Sequence, residues 1–183
     1  MTAFLEDCCA LPTPGAGAMA SVYLGLGTNL GDRQANLRIA VDALARLGRI
    51  GGQSRLYETA PLYVTDQPAF LNMAVALATD LAPLDLLARL KGLEQELGRV
   101  ASRRYGPRLI DLDILLYDDV VLDHPDLTIP HPRLCERRFA LAPLADIADT
   151  VLHPRAGITI GRLLADLPDS ADDQVIVAAQ SLT

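Results

Sequence analysis

The order of the predicted elements indicates an α+β protein with a ferredoxin-like β-α-β-β-α-β sheet and both helices on one face. Three observations predict this fold. Four segments have the composition or alternation of strands, two have apolar residues at helical spacing, and the helical segments separate the first strand from the second and the third from the fourth. Two more helical segments follow as additional C-terminal helices.

The first half of this fold begins with a strand at about 21–26, which leads into a glycine-rich turn at 25–31. A helix closed by Gly48 comes next, and a second strand is predicted around 53–59. The helix is indicated by five apolar residues at helical spacing: Leu37, Ala40, Val41, Leu44 and Leu47.

The second half repeats this order from a strand at 71–77, where buried and exposed positions alternate. Pro83 opens a helix that ends at Gly98, and the last strand is predicted over 109–117. The segments that follow are a short extension of the sheet at 120–122 and two helices at 137–147 and 159–167.

A chain of 183 residues, half of them apolar, is of the size of one compact domain. We expect that domain over residues 21–168. Residues 1–20 are rich in Ala, Pro and Gly and predict a flexible extension, and residues 169–183 form a polar, weakly specified tail.

Charge excludes two classes of partner. A net charge of -7 and a pI near 4.8 argue against nucleic acid and against anionic membranes, and no apolar run is long enough to cross a bilayer. Seven of the fifteen arginines nevertheless fall within forty residues, which indicates a small polyanion such as a nucleoside polyphosphate, or else a solvated, ion-paired surface. These arginines are Arg99, Arg103, Arg104, Arg108, Arg133, Arg137 and Arg138.

Cysteine usage indicates a reducing compartment. Cys8 and Cys9 are adjacent and leave Cys135 as a lone thiol, so no disulfide framework can form. The first twenty residues contain acidic residues and no basic one, which does not fit a secretory signal. We therefore expect a cytoplasmic protein.

The most informative segment is the last predicted strand. Its period of two places Asp111 and Asp113 on one face, about 7 Å apart, and sends the apolar residues to the other. Two carboxylates that share a face need cations, and Mg²⁺ bound together with nucleotide phosphates would supply them. The alternative is an exposed strand end paired with Arg108. The apolar set expected on the opposite face is Ile110, Leu112, Ile114 and Leu116.

Two other features permit a phosphate-binding and a structural interpretation alike. Gly25, Gly27 and Gly31 resemble a phosphate cradle but match neither the dinucleotide fingerprint nor the P-loop, so a tight turn is the alternative. His131 lies between two prolines and could donate to a phosphate or serve a structural role. Cys135 is most simply a small apolar filler.

Taken together, five ordered blocks resemble the 6-hydroxymethyl-7,8-dihydropterin pyrophosphokinase family. The resemblance runs from about residue 22 to residue 168, and its specificity lies in the order of the blocks. They are Gly27-Thr-Asn-Leu-Gly-Asp32, Asp66-Gln-Pro-Ala-Phe-Leu-Asn72, Glu94 with Gly98-Arg99, Tyr105-Gly-Pro-Arg-Leu-Ile-Asp-Leu-Asp-Ile114, and Ile129-Pro-His131 with Arg137-Arg-Phe139.

The resemblance implies an enzyme that transfers the terminal diphosphate of ATP to the hydroxymethyl group of the pterin and releases AMP. It implies two Mg²⁺ ions held by Asp111 and Asp113, with Arg99 and Arg108 facing the phosphates. The remaining ATP contacts that it implies are Ile114, Thr128, His131 and Arg137. The implied pterin contacts are Thr59, Pro61, Leu62, Phe70, Asn72, Glu94 and Phe139.

Two other functions remain open for this fold. A non-catalytic small-molecule-binding module would use the pterin pocket and leave the aspartates without a role. A different two-metal nucleotidyl transferase would share Asp111 and Asp113 but not Asn72 and Glu94. We expect small-molecule substrates, ATP and hydroxymethyldihydropterin, and a monomer.

Overall fold

The computed structural model describes residues 19–61, 66–98, 106–168, 175–179 and 182. The strands are β1 (Ala20–Thr28), β2 (Arg49–Gln53), β3 (Leu56–Thr59), β4 (Phe70–Thr79), β5 (Asp111–Tyr117), β6 (Leu122–His124), β7 (Leu127–Ile129) and β8 (Val175–Ala179). The helices are α1 (Arg33–Leu44), α2 (Pro83–Glu96), α3 (Arg138–Ala148) and α4 (Ile160–Asp166), with a 3-10 turn at Leu134–Glu136.

The main sheet is antiparallel and has the strand order β5-β1-β4-β3-β8, with β2 also paired to β4. β1 lies between β4 and β5, which correspond to the third and fourth predicted strands. This is the ferredoxin-like arrangement that the sequence predicts. No helix in the described part of the chain is long and apolar enough to cross a membrane.

Each face of the sheet has its own apolar core. On the first face, alternate residues of β1, β4 and β5 pack against α1 and α2, as predicted for helices on one side. On the second face, Ala74, Leu115 and Leu116 pack against α3 and α4. The additional C-terminal helices therefore cover the face that the first two helices leave open.

Local signals account for the helix ends. The Asp32 side chain caps α1 by accepting a hydrogen bond from Ala35 N at 3.0 Å, and Pro83 occupies the first turn of α2. After α2, Gly98 adopts a φ of +88°, a left-handed conformation that glycine tolerates. Gly48 was expected to end α1, which instead ends at Leu44.

Two expectations in the first half were wrong. β1 continues through the predicted glycine-rich turn as far as Thr28, because it is paired on both sides with β4 and β5. The second predicted strand is two strands, β2 and β3, and both pair with β4. Sheet pairing outweighed the local turn propensity of glycine in the first case.

Three expectations in the second half also need correction. A register shift at Leu115 turns Leu116 to the second face, away from Ile114, because a bulge breaks the period of two. The predicted sheet extension at 120–122 is replaced by a separate two-stranded sheet of β6 and β7. The tail, expected to be weakly specified, supplies β8, which pairs with β3.

Candidate active site

The second face of the sheet carries a polar patch across β5, β1 and β4. Gly27 of β1 lies opposite Asp111 on one side and Asn72 on the other, and Gly25 lies opposite Asp113. Because neighbouring strands are about 4.8 Å apart, Asn72 and Asp111 stand roughly 10 Å apart across the glycine. The patch therefore has an amide at one end, carboxylates at the other and a floor without side chains.

The glycine floor, Gly25 and Gly27, creates the space between these groups. A Cβ on Gly27 would lie 3.0 Å from Asn72 Oδ1, and one on Gly25 would lie 3.3 Å from Leu115 Cδ2. Gly31 alone retains turn geometry, with a φ of +62° before α1. The predicted glycine cradle is thus a strand surface rather than a loop.

Asp111 and Asp113 lie together on this face, as the strand period predicts. Burial raises the pKa of Asp113 to about 6, and the negative charge of Asp111 adds to the shift, whereas Lys91 and Arg137 oppose it. Arg108 forms an ion pair with Asp111. Two neighbouring carboxylates, one of them with a raised pKa, suit a divalent cation. The charge of the cation would favour the ionised form of Asp113.

Within the described residues, no third His, Cys, Asp or Glu joins the two aspartates in a metal-binding cluster. Two carboxylates leave most coordination positions of Mg²⁺ for water and phosphate oxygens, which is the usual arrangement in nucleotide sites. The donor set therefore suits a cation that arrives with a polyphosphate better than a permanently bound structural metal.

His131 is a neutral hydrogen-bond donor in the segment after β7. Burial, together with the nearby Arg137 charge, lowers the pKa of His131 to about 4. Its Nδ1 accepts a hydrogen bond from Arg133 N at 3.2 Å, which leaves the proton of the neutral ring on Nε2. Its backbone N donates to Leu115 O at 2.9 Å, so the loop is fastened to β5.

Arg137 brings an unpaired buried donor to the same region. Its Nε has no hydrogen-bond partner among the described residues, although it is buried. The guanidinium carbon lies 5.5 Å from the centre of the Phe139 ring, at the start of α3. A cation whose buried Nε–H is unsatisfied by the described residues needs an acceptor, and a phosphate oxygen is the ligand that suits both its charge and its geometry.

The amide end of the patch contains the described members of the expected pterin set on β3 and β4. Asn72 is 7% exposed and donates from Nδ2 to Thr59 Oγ1 at 2.8 Å. Phe70 lies opposite Thr59 in register, and Pro61 follows two residues after Thr59. An oriented amide beside aromatic and apolar groups is suited to one edge of a flat heterocycle.

Two of the expected residues, Leu62 and Arg99, lie outside the described residues. Thr128 is half-buried on β7, next to β5. The Ile114 side chain is 3% exposed and belongs to the core of the first face, so it points away from the patch. An adenine contact at Ile114 would therefore have to come from its backbone.

Glu94 has contacts that differ from those expected of a pterin ligand. Its Oε1 accepts hydrogen bonds from Lys91 Nζ and from Leu112 N, both at 2.8 Å. These contacts lie at β5, the strand at the sheet edge, whereas Asn72 is on β4, two strands away. The structure thus brings Glu94 to the carboxylate strand and not to the amide end of the patch.

Asn29 is a structural residue of the site for which the sequence analysis assigned no role. It is 1% exposed, and its Nδ2 donates to Gln67 Oε1 and Pro68 O, both at 3.1 Å. Its Oδ1 accepts from Arg108 N at 2.8 Å. Asn29 therefore connects the segment before β4 to the segment before β5. The only sequence signal for this role is that Asn29 belongs to the Gly27-Thr-Asn block.

Comparison with known proteins gives a consistent result. The family model described as 7,8-dihydro-6-hydroxymethylpterin-pyrophosphokinase (HPPK) matches residues 23–149. A 2-amino-4-hydroxy-6-hydroxymethyldihydropteridine pyrophosphokinase of Pseudomonas aeruginosa is 46% identical over 149 residues, which cover 80% of this chain and 91% of that protein.

Longer relatives are also similar. A folic acid synthesis protein of Dictyostelium discoideum is 42% identical over 82% of this chain, but the chain spans only 23% of that protein. Among solved structures, wild-type HPPK-DHPS of Plasmodium falciparum superposes with a TM-score of 0.65 at 19% identity, over 80% of this chain and 44% of that one. The structural match supports the fold.

Proposed function

The chain belongs to the 7,8-dihydro-6-hydroxymethylpterin-pyrophosphokinase family, and from that premise we propose that it transfers diphosphate from ATP to the hydroxymethyl group of 6-hydroxymethyl-7,8-dihydropterin. In this reaction the hydroxymethyl oxygen forms a bond to the β-phosphorus of ATP. The bond from that phosphorus to the oxygen bridging the α-phosphate breaks, AMP leaves with the electron pair, and the hydroxyl proton passes to solvent. The product belongs to folate biosynthesis.

One observation carries the proposal. The two carboxylates of β5 and the amide end of the patch face the same side of the sheet, on either side of the glycine floor. This arrangement supports a site for a polyphosphate and a site for a flat heterocycle on one surface of the sheet. Holding two reactants in line on such a surface removes much of the entropic cost of their encounter.

On the nucleotide side, we assign phosphate binding to Arg108, His131 and Arg137, and we extend this role to Arg99 by the family resemblance. Arg137 contributes the buried Nε for which the described part of the chain offers no acceptor, and His131 contributes a neutral donor at Nε2. These fixed donors would stabilise negative charge on the transferred group. Thr128 and the backbone of Ile114 are assigned to the nucleoside part.

We assign Asp111 and Asp113 to the binding of two Mg²⁺ ions. When bound with ATP, these ions supply positive charge beside the reacting phosphorus. Without that charge, the two carboxylates would repel both each other and the triphosphate. Burial, and then the negative charge of Asp111, raise the pKa of Asp113.

On the pterin side, we assign the polar contact to Asn72, whose amide is held by Thr59, and the ring faces to Phe70 and Phe139. Pro61 lines the same end, and Leu62 is added by the family resemblance. Aromatic walls with a few fixed polar groups are typical of sites for planar heterocycles. Glu94 is removed from this set because of its contacts with β5.

We further propose that the protein acts as a cytoplasmic monomer. Its low cysteine content suits a reducing compartment. Light scattering at several protein concentrations tests the oligomeric state, and a mass that rises to twice that of the chain would contradict it.

Product identification tests the reaction. Purified protein incubated with ATP, Mg²⁺ and the pterin should release AMP in equal amount to the diphosphorylated pterin, and it should release none without the pterin. Release of ADP or of free diphosphate would indicate another phosphotransferase. Binding of the pterin without any turnover would support a non-catalytic binding module.

A further inference from the structure

An ion pair of α2 between the half-exposed Lys91 and the buried Glu94 meets the outer edge of β5. Glu94 is 1% exposed, and its Oε1 lies 2.8 Å from Lys91 Nζ. The same oxygen accepts a hydrogen bond from Leu112 N at 2.8 Å, while Lys91 Nζ donates to Leu112 O at 3.3 Å. Two side chains of one helix therefore hold both backbone polar groups of a single strand residue.

Leu112 needs these partners because β5 is at the edge of the sheet. In an antiparallel ladder, alternate residues direct both backbone groups away from the neighbouring strand. Leu112 pairs with Leu26 in register, and its N–H and C=O turn outward to α2. An unpaired backbone group is costly when buried, so the ion pair does here what a further strand would do.

The position of Leu112 gives this contact a functional meaning, because the residue lies directly between Asp111 and Asp113. Consecutive Cα atoms are 3.8 Å apart, so a backbone fixed at Leu112 limits the movement of both carboxylates. We propose that Lys91 and Glu94 are positioning residues that form a clamp on β5 and hold the two aspartates at the spacing for divalent cations. This inference rests on the proposed function.

The chemistry of the clamp favours positioning over stabilisation. The Lys91 side chain is 42% exposed, and solvent screens such a partly exposed ion pair, so the pair by itself contributes little to stability. The pair also has opposing effects on the site, since the charge of Lys91 lowers the pKa of Asp113 and that of Glu94 raises it. The main effect of the Lys91–Glu94 pair is therefore to fix the position of the Leu112 backbone.

The test compares Glu94→Ala, Glu94→Gln and Lys91→Met with the unaltered chain. Gln keeps an oxygen that can accept from Leu112 N, whereas Ala removes it and Met removes the donor to Leu112 O. The matched control is Glu96→Ala, which removes an exposed ion pair with Arg46 from the same helix. The probes are Mn²⁺ with a nonhydrolysable ATP analogue, the pterin alone, and hydrogen exchange of the Leu112 amide.

Glu94→Ala should weaken Mn²⁺ binding at least tenfold and speed exchange of the Leu112 amide, while pterin binding changes less than twofold. Glu94→Gln should recover most of the Mn²⁺ affinity and slow the exchange again. Lys91→Met should weaken Mn²⁺ binding by a smaller factor, and it carries the test if Glu94→Ala does not fold. Glu96→Ala should leave all three readings unchanged.

Unchanged Mn²⁺ affinity in folded Glu94→Ala, or in Lys91→Met if only that variant folds, would overturn the clamp. A loss of pterin binding with Mn²⁺ affinity intact would also overturn it and would return Glu94 to the pterin set. Failure of the unaltered chain to bind Mn²⁺ with the analogue would instead contradict the proposed function. The two failures are thus distinguished by which protein shows them.

Discussion

The two faces of the sheet differ sharply although the same strands build them. On the first face, Leu24 and Leu26 of β1 are almost fully buried under α1 and α2. On the second face, the residues between and after them are Gly25 and Gly27, with carboxylates on one side and an amide on the other. At this point of β1 the first face thus supplies burial and the second presents polar groups, although α3 and α4 cover an apolar core elsewhere on the second face.

This difference predicts that substitutions on the two faces have different consequences. Substitutions in the core of the first face should mainly lower the free energy of unfolding, and substitutions in the polar patch of the second face should mainly lower turnover. Measuring unfolding and turnover on the same variants tests this difference.

Leu24→Ala should give the largest effect. Leu24 is 0% exposed in the core of the first face, and its truncation should lower the free energy of unfolding by about 2–5 kcal/mol through lost burial and a cavity. Urea denaturation measures this. The control is Ile39→Ala on α1, at a side chain that is 51% exposed, which should change stability by less than about 0.5 kcal/mol. Equal losses in the two variants would contradict the assignment of Leu24 to the core.

Asp113→Ala should reduce turnover at least about 10²-fold, which corresponds to about 3 kcal/mol of lost transition-state stabilisation. AMP release at saturating Mg²⁺ measures the change, and thermal melting should show that the fold persists. Asp119→Ala, in the exposed turn after β5, is the matched control and should keep normal turnover. Near-normal turnover in Asp113→Ala would remove Asp113 from the metal site.

Gly27→Ala tests the floor between the two ends of the patch. Its Cβ would lie 3.0 Å from Asn72 Oδ1, so the amide must move while its Nδ2 is tied to Thr59. We expect the KM for the pterin to rise about tenfold, roughly 1.4 kcal/mol, with a smaller change in the KM for ATP. Gly92→Ala, where a Cβ meets nothing within 4 Å, should leave both values unchanged. A rise confined to ATP would place the pterin elsewhere.

Asp113→Asn should change the pH dependence of stability. The pKa of Asp113 is raised from 3.8 to about 6, so the native state binds a proton that the unfolded state has lost between these values. Stability contributed by this group therefore falls as the pH rises from about 4 to about 6. Asn removes the ionisation, so the free energy of unfolding of the variant should fall less over that window. Identical pH profiles would show that Asp113 has an ordinary pKa.

How far the sequence predicted the fold and the site depended on the range of the interactions involved. Hydrophobic periodicity placed α2, β4 and α3 closely, because each has a continuous apolar pattern of its own. The extension of β1 through Gly27 was missed because pairing with β4 and β5 overrides the local preference of glycine for turns. The bulge at Leu115 was missed for a similar reason, since register is a property of two strands.

The site shows the same division. The sequence by itself determined that Asp111 and Asp113 share a face, because the strand period is local, and its ordered blocks identified the family. Three features came from packing and could not be predicted locally: Glu94 contacts Leu112, Asn29 joins two segments, and Arg137 Nε has no acceptor among the residues that the structure describes. These contacts link residues from 18 to 79 positions apart, or depend on burial by other elements, and such distances are set by packing rather than by local pattern.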